Sequence, residues 1–424
     1  TVGSGESIQT AVDGAADGDE IVLTYPGQYL GDVTVSGKAL TIRAIDSDYT
    51  NILGNFTIIN HPVSSISTLQ SFTMSGTLLS SGSGELQVLN MIIDTDFNAS
   101  GLNKVIFENS SVQSITSDSE NYFSGCTLQA LSVQNCPKIV LQNTVVNTTA
   151  DFINVTDCYI RKSTIKGKLN FPDPFDQQGN PTKLVFLQGI SEALLTSNAS
   201  RTWLGYSNLR QTKLSGIVEI VGNVMNGYSL GGIGIDLNGT QTSANIHNNY
   251  IRDFRRDTSD NLSNQCIGIR VRGNAKAEII NNLIRNNNEN RDGGTNTKVG
   301  IGILVESTSG TRILGNLFKD NYSKGGSQGG HANIWAPAQN VTIAYNGMTS
   351  TQGSELVAGG ATNLAFTNDA SYDDRFMQSD WGRFMRGKLG QDKGPPDAIY
   401  QDRDGSRNDI GPHGGRNYLT NGTT

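Results

Sequence analysis

The sequence predicts an all-β fold: a right-handed parallel β-helix (solenoid) with an N-terminal capping helix and an irregular C-terminal cap. Three observations carry this prediction. An isoleucine motif recurs every 31 to 34 residues, an asparagine recurs nearly in step with it, and the composition favours turns over charge. The motif centres on Ile235, Ile269, Ile303 and Ile334. The asparagines are Asn249, Asn282, Asn316 and Asn346, with Asn223 opening the series. Alternation in Ile233, Ile235 and Leu237 marks a strand with one buried face. An interval this short holds two or three strands and their turns, and the linkers show no helical periodicity. Each coil must then bury its apolar face against its neighbours, with equivalent strands parallel and ~4.8 Å apart. Ile233, Ile235 and Leu237 are expected to point inward, with Ile235, Ile269 and Ile303 in one buried column. The repeated Asn is expected at a bend, in the left-handed conformation, bonded to the Asn above and below.

Composition narrows the class. The chain has 424 residues, 36% hydrophobic and 17% charged, with 49 Gly and 42 Asn. Gly and Asn tolerate positive φ and suit closely spaced turns. A net charge of −7 argues against nucleic acid as partner of the whole chain. No apolar run approaches the ~18 residues of a membrane span. The first residue is Thr1 rather than Met, which is consistent with a processed mature start or a trimmed chain. Cys126, Cys136, Cys158 and Cys266 fit neither a disulfide-dense scaffold nor a zinc spacing. They allow three pairings, or free thiols buried in the stack.

The elements follow in order along one continuous domain. Residues 1–24 form a cap: Ser7 caps a helix with Ile8, Ala11, Val12 and Ala15 on one face, and Gly18 and Asp19 turn into a strand over 20–23. Residues 25–169 form short coils, since Asn90, Asn109, Gly125 and Asn143 lie 16 to 19 residues apart. Residues 170–212 are expected to be an insertion, with Pro172, Pro174 and a helix over 190–195. Residues 213–365 form long coils with extended loops, where function concentrates on a rigid scaffold. Residues 366–424 cover the C-terminal end, because an open end of a parallel stack is an aggregation edge.

The opening resembles pectin-lyase-like right-handed β-helix proteins, pectinesterases among them. The matching residues are Ser7, Ile8, Gln9, Thr10, Ala11 and Val12; then Gly18, Asp19, Glu20, Ile21, Val22 and Leu23; then Pro26, Gly27, Gln28 and Tyr29; then Leu40, Thr41 and Ile42. Residues 402–415, from Asp402 to Gly415, are similar to the closing motif of secreted bacterial β-helix repeat proteins. The resemblance implies the fold and export to the extracellular space or cell surface. The superfamily includes polysaccharide lyases, glycoside hydrolases, esterases, epimerases, phage tailspikes and adhesins, so fold does not fix activity. Asp151, Phe152 and Ile153 echo the pectinesterase segment that carries a catalytic aspartate, but the other pectinesterase motifs are absent. Phe152 and Ile153 therefore read as core.

Candidate chemistry follows from alternation. With Ile235 and Leu237 inward, Asp236 and Asn238 point out, and register brings Arg270, Arg272, Glu306 and Trp335 beside them. The linkers add Arg255, Arg256, Arg291, Lys298, Lys324 and His331. Residues 250–330 hold twelve Lys/Arg against eight Asp/Glu, a basic strip on an acidic chain. Such a strip suits an anionic polysaccharide, because guanidinium forks grip carboxylate or sulfate in two-point fashion. Arg272, Arg255, Arg256, Arg291 and Lys298 would bind it, and Trp335 would stack on a sugar or cover the core. A lyase needs a base, here His331, Tyr322 or a Lys, and a cation that neutralises the uronate, here Arg270 or Arg272. A hydrolase needs two carboxylates, and Asp236 and Glu306 lie two coils apart, about 9.6 Å by strand spacing. Alternatively, Asp236, Arg270 and Glu306 form a solvated charge ladder on a non-catalytic spike, sheath or adhesin that self-associates. Asp402, Asp404, Ser406 and Asp409 have the spacing of a calcium loop, with Asx-turns as the rival.

Overall fold

The computed structural model describes residues 1–46, 49–228, 232–254, 265–287, 299–319, 321, 332–336, 340–349 and 364–366. They are almost entirely short parallel strands with one helix, so the parallel β-helix is the observed fold. The chain divides into two compact units, Thr1–Ala193 and Leu194–Thr424.

In the first unit the helix spans Ile8–Gly14, with the Ser7 side chain accepting from the Thr10 N–H and with Ile8 and Val12 buried. One parallel ladder runs through Glu20–Leu23, Thr41–Ala44, Ile66–Gln70, Glu85–Leu89, Lys104–Glu108, Glu120–Ser124, Lys138–Gln142, Asp157–Arg161 and Lys183–Leu187. Inward positions alternate with outward ones. Phe107 and Phe123 are buried and stack at 5.2 Å between ring centres, and Phe97 meets Phe107 edge-on at 5.0 Å. Phe152 is buried as expected, but Ile153 is half-exposed because it falls on the opposite parity.

Residues 170–212 leave the ladder only between Phe171 and Lys183. That excursion is a turn organised by Asp176, which accepts from the Thr156 hydroxyl at 2.6 Å and from the Asn180 N–H at 2.7 Å. The helix expected over 190–195 is instead part of the strand Ile190–Ser197. Its first residues pair with Thr164 and Ile165, and a waiting ladder edge outweighs local helix propensity.

All four cysteines are free thiols and buried. Burial pushes the Cys126 thiol up, the Cys136 thiol to about 11 and the Cys158 thiol well above its ordinary value. Only the thiolate is a nucleophile. The native protein at pH 8 is therefore expected to leave Cys126, Cys136 and Cys158 unlabelled by a thiol reagent that modifies them at once in denaturant. Stoichiometric labelling of the folded chain would contradict this.

The second unit has three strands per coil. One ladder joins Arg201–Gly205, Ile217–Val221, Ser243–His247, Lys276–Ile280, Thr311–Leu314 and Val341–Ala344. A second joins Gly232–Asn238, Gln265–Arg272, Val299–Val305 and Ala332–Trp335. A third includes Val224–Asn226, Tyr250–Arg252, Leu283–Arg285 and Leu317–Lys319. Ile235, Ile269 and Ile303 pair in register, each at 0% exposure, so the predicted buried column exists.

Ile233 does not join that column. It packs with Trp335 against a separate cluster of Ile267, Ile301 and Leu304. The physical reason is the glycine between Ile233 and Ile235. Pairing skips Gly234 and Gly268, which breaks the alternation. A Cβ at Gly234 would lie 2.6 Å from the Gly268 carbonyl oxygen, and one at Gly268 would lie 2.6 Å from that of Gly302. Only glycine lets the coils approach this closely.

The asparagine series is a buried ladder. Asn249, Asn282, Asn316 and Asn346 are at 0% exposure, and each Oδ1 of the last three accepts from the Asn one coil earlier. The left-handed residue, however, is the one before each ladder Asn. Asn248, Asn281, Gly315 and Tyr345 have φ of 58°, 56°, 64° and 57°. One residue makes the bend and the next fills it with hydrogen bonds.

Candidate functional site

The second unit presents the predicted outward column. Asp236 pairs with Arg270, Arg270 with Leu304, and Leu304 with Trp335. Asn238 pairs with Arg272, and Glu306 follows the end of its strand, its N–H bonded to the Val271 carbonyl at 2.8 Å. Asp236 is nearly buried, and it is the hub. The Arg272 Nε donates to its Oδ1 at 2.9 Å and the Arg272 Nη2 to its Oδ2 at 2.8 Å, a two-point pair. Arg270 lies with Nε 3.7 Å from Asp236 Oδ1 and 3.1 Å from Glu306 Oε2. The hydrogen bond to Asp236 is the main cause that holds the Arg272 guanidinium above its ordinary pKa.

This arrangement bears on the choice between the two chemistries. An inverting pair must leave room for water between its carboxylates, and Arg270 fills the space between Asp236 and Glu306. The four charged groups also balance, two cations against two anions. What remains distinctive is orientation. Arg272 uses one edge of its guanidinium on Asp236, and its side chain keeps 30% exposure. A guanidinium held by a buried carboxylate offers its other edge at little entropic cost. Trp335, two coils beyond Arg270 in its column, is half-buried and packs against the cluster of Ile267, Ile301 and Leu304 rather than standing free as a platform.

Arg255, Arg256, Arg291, Lys298, Lys324, Tyr322 and His331 lie outside the described residues, as do Asp402, Asp404, Ser406 and Asp409 of the expected calcium loop. Among the described residues, no group of three His, Cys, Asp or Glu is placed to hold a metal ion. No described helix is long and apolar enough to cross a membrane.

Two features escaped sequence reasoning. On the outer face of the second unit, His247 Nε2 meets Glu219 Oε1 at 2.5 Å, and Asn245 Nδ2 donates to Glu219 Oε2 at 3.3 Å. Burial would push the Glu219 carboxyl up, but the His247 and Asn245 contacts outweigh it and hold the carboxyl below its ordinary range. The exposed Trp203 pairs directly with Glu219 in register. In the first unit, lysines and tyrosines line the outer face. Lys104 and Lys138 sit 5.0 and 5.3 Å from the Tyr122 ring centre, and Lys183 sits 5.0 Å from that of Tyr159. The signal was present in the alternation of each strand, but it needs the coil-to-coil register to become a surface.

No protein-family model matches the chain, and no curated protein matches it in sequence. Similar solved structures include a PL6 alginate lyase in complex with a trisaccharide, at 12% identity and TM-score 0.30 over 81% of each chain. A mutant of the PL6 family alginate lyase AlyGC gives 13% identity and TM-score 0.31, covering 85% of this chain and 52% of that one. A PL6 family polysaccharide lyase from Pseudopedobacter saltans gives 13% identity and TM-score 0.20, covering 85% of this chain and 90% of that one. The chain thus spans about half the length of the second of these.

Proposed function

We propose that this is an extracellular protein that binds and cleaves an acidic polysaccharide on the outer face of its second unit. The observation that carries the reading is the preset guanidinium of Arg272, clamped two-point by the nearly buried Asp236. A uronate chain presents one carboxylate per acidic sugar, and its cleavage by elimination requires that this carboxylate be neutralised while a base removes the neighbouring C–H proton. Arg272 suits the first task, with Arg270 beside it. His331, Tyr322 or a lysine would serve as the base. With the space between Asp236 and Glu306 filled, elimination fits the site better than hydrolysis.

The reading is tested by incubating the full chain with alginate, polygalacturonate, a sulfated galactan and a glycosaminoglycan. Absorbance of unsaturated uronate and new reducing ends are followed together. We expect both to rise on a uronate polymer, and Arg272→Ala to lower kcat/KM at least about tenfold, the scale of one charge-assisted contact. Silence across the panel, with polymer binding also absent, would sink it. The charge balance of the Asp236, Arg270, Arg272 and Glu306 group favours one rival, a non-catalytic shaft, for which assembly into regular particles is the corresponding result.

A further inference from the structure

We infer that the first unit carries a second, separate binding site for a uronate-containing sugar chain, in a notch beside Tyr159 over Val140 and Val185. The ligand class rests on the reading above; the place does not. On the outer face of five consecutive coils, the middle position of each strand reads Ile106, Tyr122, Val140, Tyr159 and Val185 in register. Bulky and small side chains thus alternate from Tyr122 onward. Each valine leaves a gap beside a tyrosine, and the result is a cavity of about 310 Å³ walled by Val140, Tyr159 and Val185. Tyr122 and Tyr159 are two coils apart, ~9.6 Å by strand spacing, a distance that linked sugar rings span.

The polar lining sets the ligand. Lys138 stands at one side of the notch, and Gln142 and Arg161 stand at the other. The carboxylates nearest in register, Glu120 and Asp157, flank Lys138 in the edge column but do not line the cavity. Glu120 is moreover engaged by the Tyr122 hydroxyl at 3.0 Å. Two cations, an amide and an aromatic wall with no lining anion, on a chain of net charge −7, complement a sugar that bears a carboxylate. The ring's C–H face would rest on the Tyr159 face, and Arg161 or Lys138 would take the carboxylate. A neutral sugar would offer neither cation a carboxylate. The inner residues of these strands, Ile139, Leu141, Cys158 and Ile160, are buried, so the notch sits on a rigid floor.

The test uses the full chain, a purified oligogalacturonate, and a neutral cello-oligosaccharide of equal length. Affinity is read by calorimetry, and the site is read by how far ligand protects Lys138 from amine acylation, quantified by mass spectrometry. We expect the oligouronate, and not the neutral oligosaccharide, to protect Lys138 in the parent protein and equally in Arg272→Ala. With ligand near the parent Kd, Tyr159→Ala and Arg161→Gln should cut that protection several-fold, each weakening this site about tenfold. Tyr159→Phe should retain it, since the ring is kept. Acylation of Lys138 at an unchanged rate under saturating oligouronate overturns the proposal, as does equal protection by the neutral sugar. Loss of turnover in Arg272→Ala with no Lys138 protection in any variant would overturn this site and leave the second-unit reading standing. Protection at Lys138 with unchanged turnover in Arg272→Ala would do the reverse.

Discussion

Replacing Asn282 by alanine is expected to destabilise the second unit by about 3 kcal/mol, among the largest effects of any single side chain outside the apolar core. The Asn282 Nδ2 donates to the carbonyls of Ile246 and Ile280 at 2.9 and 3.0 Å and to Asn316 Oδ1 at 2.9 Å. Its Oδ1 accepts from the backbone N–H of Asn249 at 2.9 Å and from Asn249 Nδ2 at 3.0 Å. Each intramolecular bond adds only about 1 kcal/mol net, but a buried group left without its partner costs roughly 1–3 kcal/mol. Alanine would strand the Asn249 N–H at 0% exposure, where no water replaces the lost acceptor, while the Asn249 Nδ2 keeps the Ile220 and His247 carbonyls at 2.9 and 3.0 Å. Asn282→Asp should be at least as damaging. It keeps the shape but turns an acceptor toward the Ile246 and Ile280 carbonyls. Because each coil leans on its neighbours, hydrogen exchange should rise first at residues 246–251 and 279–284. Chemical denaturation measures the total; a loss under about 1 kcal/mol would mean that the ladder ornaments the bend rather than holding it.

The same ladder shows what a single sequence reveals of this architecture. Spacing alone exposed the fold, the buried isoleucine column and the stacked asparagines, because stacking forces equivalent residues to recur. Spacing did not say which of Asn281 and Asn282 bends the chain. Both residues are asparagine, and only the backbone separates the left-handed one from the hydrogen-bonding one. A second buried ladder, in which Asn287 Nδ2 donates to Asn321 Oδ1 at 2.9 Å and Asn321 Nδ2 to Asn333 Oδ1 at 3.1 Å, was hidden by unequal loop lengths. Ile233 misled for another reason. Alternation assumes a regular pleat, and Gly234 breaks it. The outward column of Asp236 and Arg270 was legible because parity is restored after the glycine. Its chemistry was not, since whether Asp236 faces open solvent or two guanidinium groups depends on side-chain directions that no spacing encodes. The Lys and Tyr face of the first unit lay beyond reach for a related reason: it is assembled from every second residue of five strands.

Asp236 is where stability and function can be told apart, and Asp236→Ala is expected to be costly in both. A fully buried ion pair that loses one partner loses about 3–5 kcal/mol. Here the Arg272 side chain keeps 30% exposure and the Arg270 side chain 16%, so water partly solvates what is left and about 2 kcal/mol is the better expectation. Glu306→Gln should cost well under 1 kcal/mol, because its side chain is 46% exposed and touches only the Arg270 side of the network. The functional effect should not scale with stability. Without Asp236 the Arg272 guanidinium loses its two-point clamp and its fixed direction, so uronan cleavage should fall about as far as in Arg272→Ala. The double variant should then be no worse than either single one, since both remove the same oriented edge. If instead Asp236→Ala lowers the unfolding free energy while kcat/KM stays at the parent value, the carboxylate is a strut within a charge ladder. Arg272 then makes no contact with substrate that depends on being held.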